Sequence, residues 1–266
     1  MSSAGVAKNS SSVASKVRHF LRSRLDDEQI RSLRRFQAFR FRRTQNVLWR
    51  LLFGRNLNLL ATIYDTDKWN DHWYTQHYNR HFGDRRTRRL NVIELGIGGF
   101  DSPELGGASL RMWRTYFPNS VIHGIDIYEK RPHDEARIRT HQGSQADESF
   151  LDSVLEQTGI PDIIIDDGSH INEHVLASFR HLFPRLAPGG IYVIEDTQTS
   201  YWQRYGGTSS DFECKRTSMG LLKSLTDSIN ATEFEVPGST ATEYDGQVAA
   251  MHFYHNIVFI EKLRTS

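Results

Sequence analysis

Two short apolar runs, each ending in an acidic cluster, constrain this chain more than any other feature in it. Asp162-Ile163-Ile164-Ile165 leads into Asp166-Asp167-Gly168-Ser169-His170, and Gly190-Ile191-Tyr192-Val193-Ile194 leads into Glu195-Asp196, about 28 positions later. Each run has the length and β-branched content of a buried strand. Between them, Asn172 to Leu186 is helix-compatible and is closed by Pro188-Gly189-Gly190. Two strands joined by a crossover helix lie parallel, so their carboxyl ends share one rim of a sheet. This places Asp167, Glu195 and Asp196 with His170 on the rim where open α/β sheets bind ligands. Clustered carboxylates repel one another unless a cation sits among them, and an all-oxygen set suits Mg²⁺ or a similar hard ion.

The alternation extends to both sides. Asn91 to Leu95, Val121 to Ile127 and Arg137 to His141 read as earlier strands, with helices over Ser109–Phe117 and Ser149–Gly159. A further helix over Lys215–Ile229 precedes two final strands, Val248–Tyr254 and Asn256–Lys262, whose tight turn makes them antiparallel. The expected fold is α/β: a Rossmann-like, doubly wound, mostly parallel sheet finished by an antiparallel C-terminal hairpin.

Charge divides the chain differently. Residues 1–60 carry 13 basic against 3 acidic side chains, and the remainder carries 20 basic against 29 acidic. Residues 1–57 therefore read as a basic N-terminal arm, disordered to about residue 15 and helical after it. Residues 58–266 read as the catalytic domain. From Ser15 to Phe53 there is neither Pro nor Gly, and apolar residues from Phe20 to Leu52 recur at loosely helical spacing. Such a helix is a candidate for contact with an anionic membrane surface or another subunit, or for a solvated arm. No stacking module accompanies the charge, which argues against nucleic acid as a partner. No window approaches the roughly 18 apolar residues of a spanning helix. Met1 to Ser15 lacks the apolar core of a secretory signal. The single cysteine, Cys214, excludes a disulfide framework and fits the reducing cytoplasm.

The first strand ends Glu94-Leu95-Gly96-Ile97-Gly98-Gly99, where glycines let backbone turn sharply and approach a ligand. The following Asp101-Ser102-Pro103-Glu104 stretch is long and acidic, which suits a cationic ligand better than a pyrophosphate. Asp126, about 30 positions after Gly96, ends the second strand, where a carboxylate accepts hydrogen bonds from ribose hydroxyls. The polar aromatics from Tyr64 to Tyr78, among them Trp69, His72, Tyr74 and His77, read as a lid, a ligand wall or packing beneath one. Tyr201 and Trp202, just after the second acidic pair, are placed to stack on a ligand ring or to fill core.

The Glu94-x-Gly96-x-Gly98 loop, Asp126, Asp-Asp-Gly-Ser-His and Ile-Glu-Asp together resemble class I S-adenosylmethionine-dependent methyltransferases. More narrowly, they resemble the Mg²⁺-dependent sugar O-methyltransferases. The likeness takes in Asp67-Lys68-Trp69, the Tyr74–Tyr78 run, Ser109-Leu110-Arg111-Met112-Trp113 and His181 to Leu186, and leaves residues 1–55 uncovered. It implies that Glu94, Gly96, Gly98, Ser109, Asp126, Gln142, Gly143, Ser144 and Asp166 serve the cofactor. It also implies that Asp167, Glu195 and Asp196 hold the metal and that His170 is the general base, with His174 as its rival. The implied reaction moves a methyl group from S-adenosylmethionine to a sugar hydroxyl of a glycosylated natural product, glycolipid or polysaccharide. The alternatives are a catechol-like acceptor, since the same metal-assisted chemistry serves both, or a nucleic-acid-associated protein using its basic arm. The resemblance and the helical arm also allow self-association.

Overall fold

In the computed structural model the chain divides between residues 52 and 53 into two units, and the structure describes residues 53–264. The readings of the basic arm therefore lie outside the described residues, apart from its last few positions. Elements are numbered from Phe53 onward. Helix α1 spans Leu57–Tyr64 and α2 Thr75–Phe82. Then come β1 Asn91–Leu95, α3 Ala108–Tyr116, β2 Val121–Asp126, β3 Ile138–Gln142 and α4 Glu148–Thr158. Next are β4 Ile163–Asp166, α5 Asn172–Leu182, β5 Ile191–Glu195 and α6 Ser218–Ser228, with β6 Val248–Tyr254 and β7 Ile257–Lys262 last.

The strands form one sheet in the order β3-β2-β1-β4-β5-β7-β6. The first five are parallel, while β7 runs antiparallel to β5 and to β6. The order in which successive strands are added reverses between β1 and β4, which opens the crevice that such sheets use for ligands. Register carries the acidic residues there: Leu95 pairs with Asp166, and Asp166 with Ile194.

Every residue of β4 and β5 is buried, as expected of strands covered on both faces. Their side chains alternate between two cores. Ile163, Ile165, Ile191 and Val193 join Tyr78, Phe82, Trp113 and Phe259 on the face covered by α1, α2 and α3. Ile164, Tyr192 and Ile194 join Val175, Phe179 and Leu225 on the face covered by α4, α5 and α6.

The differences from the expected boundaries have local causes. The third strand begins one residue late because Arg137 is left-handed, φ +67°. Helix α5 stops at Leu182, and Pro184 sits in the following 3₁₀ turn, where its ring and missing N–H end the α-helical ladder. Helix α6 starts at Ser218, capped by the Thr217 hydroxyl, which accepts from the Gly220 amide at 3.0 Å. Among the described residues no helix is long and apolar enough to cross a membrane.

Candidate active site

A cavity of about 900 Å³ opens at the carboxyl ends of β1, β2 and β4. Its floor is backbone. Gly96, φ +89°, turns the chain out of β1 so tightly that a Cβ there would lie 2.1 Å from the Asp167 carbonyl oxygen. Only glycine tolerates both the dihedral and the contact. The Asp126 carboxylate accepts from the amides of Ile97 at 3.0 Å and Tyr128 at 2.9 Å, binding the turns after β1 and β2 to each other.

Of the residues assigned to the cofactor from sequence, Gly96, Gly98, Ser109, Asp126, Gly143 and Ser144 line this cavity. Glu94, Gln142 and Asp166 are not on its wall. Glu94 is fully buried beneath it, accepting from Ser109 Oγ at 2.8 Å and Trp113 Nε1 at 3.0 Å. Gln142 is exposed. Asp166 faces the interior and accepts from Gln145 Nε2 at 3.0 Å, Ser178 Oγ at 2.6 Å and Tyr192 Oη at 3.3 Å. Gln145 takes the place on the cavity wall and also accepts from the Ser169 amide at 2.8 Å.

The acidic rim forms the other wall. Asp167, His170 and Asp196 each present one donor atom, all within 4.8 Å of one another. His170 Nε2 lies 3.7 Å from Asp196 Oδ2. Both residues are left-handed, with φ +56° and +53°, a conformation that costs a non-glycine residue about 1–2 kcal/mol. Asp196 directly follows β5 and His170 lies four residues beyond the end of β4, and each turn aims its side chain at the crevice. His174 also lines the cavity, its Nδ1 3.0 Å from Ser169 Oγ.

Glu195 is held differently from the other acids. Its Oε1 accepts from Lys68 Nζ at 2.6 Å and from the Tyr78 hydroxyl. Lys68 is fully buried and also donates to Asp167 Oδ2 at 2.7 Å, with Glu94 3.5 Å away. Burial pulls the Lys68 ammonium down, but Asp167, Glu195 and Glu94 outweigh it and hold the ammonium well above its usual range. Burial raises the Glu94, Asp167 and Glu195 carboxyls in turn. For Glu195 the neighbouring Asp167 charge adds to the rise, while for the other two Lys68 opposes it. One buried cation thus balances three acids.

Of the segment from Tyr64 to Tyr78, Asp65, Thr66 and Asp67 line the cavity, while its aromatics serve as packing and anchors. Tyr74, 1% exposed, donates to Asp196 Oδ1 at 2.7 Å, and burial, then Asp196, raises its phenol far above the ordinary value. His72 Nδ1 is 3.8 Å from the same oxygen. His77 instead stacks on Tyr254, ring centroids 3.8 Å apart, away from the cavity. Tyr201 and Trp202 are exposed, and Tyr201 lines a second, separate depression with Ser209 and Ser210. It is Tyr205 that reaches the main cavity.

Sequence reasoning did not single out Lys68, Tyr78, Gln145 or Tyr205 for the site. For Lys68 a signal existed, because a lysine within the aromatic segment Tyr64–Tyr78 is surrounded by residues that bury it. Tyr78 lies four residues after Tyr74 and therefore on the same helical face.

The fold, with its glycine turn, strand-end carboxylate and acidic rim, is that of a class I methyltransferase. No family model matches the chain. It is 49% identical over 211 residues to mycinamicin VI 2''-O-methyltransferase of Micromonospora griseorubida, covering 79% of this chain and 53% of that protein. It is 47% identical over 209 residues to demethylmacrocin O-methyltransferase of Streptomyces fradiae, covering 78% and 53%. Among solved structures, MycE methyltransferase from the mycinamycin biosynthetic pathway, in complex with Mg and SAH, matches with a TM-score of 0.76 at 49% identity, over 79% of this chain and 54% of that one. The matched part of this chain is homologous to these sugar O-methyltransferases. The chain spans about half the length of the curated relatives it matches. These relatives lend no support to the catechol or nucleic-acid readings.

Proposed function

We propose that residues 53–264 catalyse Mg²⁺-dependent methyl transfer from S-adenosylmethionine to a sugar hydroxyl of a glycosylated natural product. The observation that carries this reading is the convergence of Asp167, His170 and Asp196 beside a glycine-floored cavity. The residues present fit both groups. Asp167 and Asp196 offer hard oxygen donors suited to Mg²⁺, and Glu195, whose Oε1 is taken by Lys68 and Tyr78, would add only Oε2. The glycine turn admits a ligand against backbone, Asp126 would meet ribose hydroxyls, and Gly143 to Gln145 would border the adenine. Bound there, the cation would lower the pKa of an acceptor hydroxyl and the sulfonium would supply an activated methyl.

What the chain's own residues do follows from their placement. His170, whose imidazole nitrogen is a poorer partner for a hard ion, stays free to take the hydroxyl proton at Nε2. Tyr74 orients Asp196, and Lys68 holds Asp167 and Glu195 together against their repulsion. Tyr205 at the cavity, with exposed Trp202 behind it, supplies aromatic surface for a sugar face. The relatives' names, which specify mycinamicin VI, demethylmacrocin and rhamnosyl tetracenomycin-C, support a glycosylated acceptor. The basic charge of residues 1–60 supports a further reading, contact with an anionic surface or a lipid-linked glycan. Deleting residues 1–55 should then leave turnover of soluble acceptors intact.

The test is methyl transfer to rhamnosides, mannosides and catechols, with Mg²⁺ and with excess chelator. Glycosides should be methylated only with the metal. Asp167→Ala should lose about 10²–10³ in turnover. His170→Ala should lose about 10² or more with cofactor affinity unchanged. Equal rates in chelator would sink the metal mechanism, and a wild-type rate in the histidine variant would remove the base.

A further inference from the structure

We propose that the edge hairpin and α2 form a second cation site, for a borderline transition-metal ion such as Zn²⁺, with His81, His252 and Glu261 as ligands. The cluster is distinct from the acidic rim. Glu261 pairs with Ile191 at the start of β5, whereas Glu195 closes that strand, so the two sites are about 13 Å apart along it. His252 and Glu261 share the sheet face on which α2 lies. His252 pairs with Phe259, and Glu261 follows Phe259 by two positions. His81, in the last turn of α2, stacks on the Phe259 ring at 4.3 Å and so reaches the same face.

The geometry is close to that of a coordination sphere. His252 Nε2 is 3.2 Å from Glu261 Oε1, and His81 Nδ1 is 3.7 Å from the same oxygen. The donor atoms of all three lie within 4.8 Å of one another. A tetrahedral ion with bonds of about 2.0–2.1 Å keeps its ligands about 3.3 Å apart, so small rotations complete the set. Two imidazoles and one carboxylate suit zinc and its neighbours rather than magnesium, and leave a fourth position open.

An independent contact supports the assignment. The other nitrogen of His81, Nε2, lies 3.0 Å from the Tyr254 hydroxyl. A hydrogen bond from Nε2–H to Tyr254 leaves Nδ1 bare and turned toward Glu261, the arrangement by which metal-binding histidines are oriented. An ion here would clip the last turn of α2 to the β6–β7 hairpin. The other end of that helix carries Tyr74 and Tyr78, which bond to Asp196 and Glu195.

The experiment uses the full chain, stripped with chelator and held in saturating Mg²⁺ so that hard-ion sites are filled. Co²⁺ is titrated in while the visible bands of four-coordinate cobalt are followed, and Zn²⁺ is then used to displace it. One equivalent should bind with bands, and Zn²⁺ should raise the melting temperature. His252→Ala and Glu261→Gln, both at partly exposed positions, should abolish the bands. Tyr254→Phe should weaken binding about 10–100-fold, and Asp196→Asn should leave it unchanged. Absence of bands in the wild type, bands retained in both His252→Ala and Glu261→Gln, or bands lost in Asp196→Asn would each overturn the proposal.

Discussion

Along β1 and β2 the cavity is walled by main chain. Gly96 packs its α-carbon against the Asp167 carbonyl, and Asp126 ties neighbouring turns through backbone amides. Along β4 and β5 it is walled by charge, with Lys68, Tyr74 and Tyr78 reaching in from the α1–α2 segment to hold Asp167, Asp196 and Glu195. The first wall depends chiefly on shape. The second depends on one buried ammonium set among acids, so it should answer to protonation.

Removing that ammonium is the severest test of the contrast. Lys68→Met leaves buried carboxylates uncompensated and should cost about 3–5 kcal/mol of stability. Glu94 and Glu195 already sit above the ordinary value of 4.5 because of burial. A carboxyl with a raised folded pKa contributes its stability fully below the unfolded value and loses it as pH rises through the folded one. Without Lys68 those folded values climb further, so the deficit of the variant against the parent should widen from about pH 5 to about pH 8. Urea unfolding at both pH values measures it, and a pH-independent deficit would break the contrast.

Gly96→Ala probes the other wall and should cost roughly 2–4 kcal/mol, from the left-handed backbone and the contact with Asp167. The same pair of unfolding curves should show no dependence of that loss on pH. Tyr74→Phe is the mildest change. Losing one hydrogen bond to Asp196 should cost about 1.5 kcal/mol. Mg²⁺ affinity, followed by calorimetry, should shift modestly while S-adenosylmethionine affinity stays put.

The strand ends that border both walls were legible in sequence. Parallel strands buried on both faces must appear as apolar runs, and the residues that end those runs are the ones carried to the rim. Asp126, Asp167, Glu195 and Asp196 were therefore findable without any contact information, whereas Glu94, one residue short of its strand's end, stays beneath the rim. Which way each points was harder. Asp166 and Asp167 are consecutive and so face opposite ways, the first toward Ser178 and Tyr192, the second toward Lys68. Gln145 replaces Gln142 because the chain turns back after β3, with the Gly143 amide donating to Asp126, and buries the later side chain. Lys68 left the faintest trace. Its carboxylate partners Asp167 and Glu195 are 99 and 127 positions away, and no local periodicity records such a pairing.

His170 and Asp196 have a consequence of another kind. Both hold dihedrals that a glycine would adopt freely, so the positions proposed to bring chemistry to the crevice are also places where the native chain sits above its conformational minimum. Replacing His170 by glycine would relieve that strain and remove the proposed base together, whereas at Asp196 the lost hydrogen bond from Tyr74 offsets the gain. A search that rewards only heat resistance in this molecule would therefore be drawn toward the proposed base, and on that proposal it would harvest a hardier but idle protein.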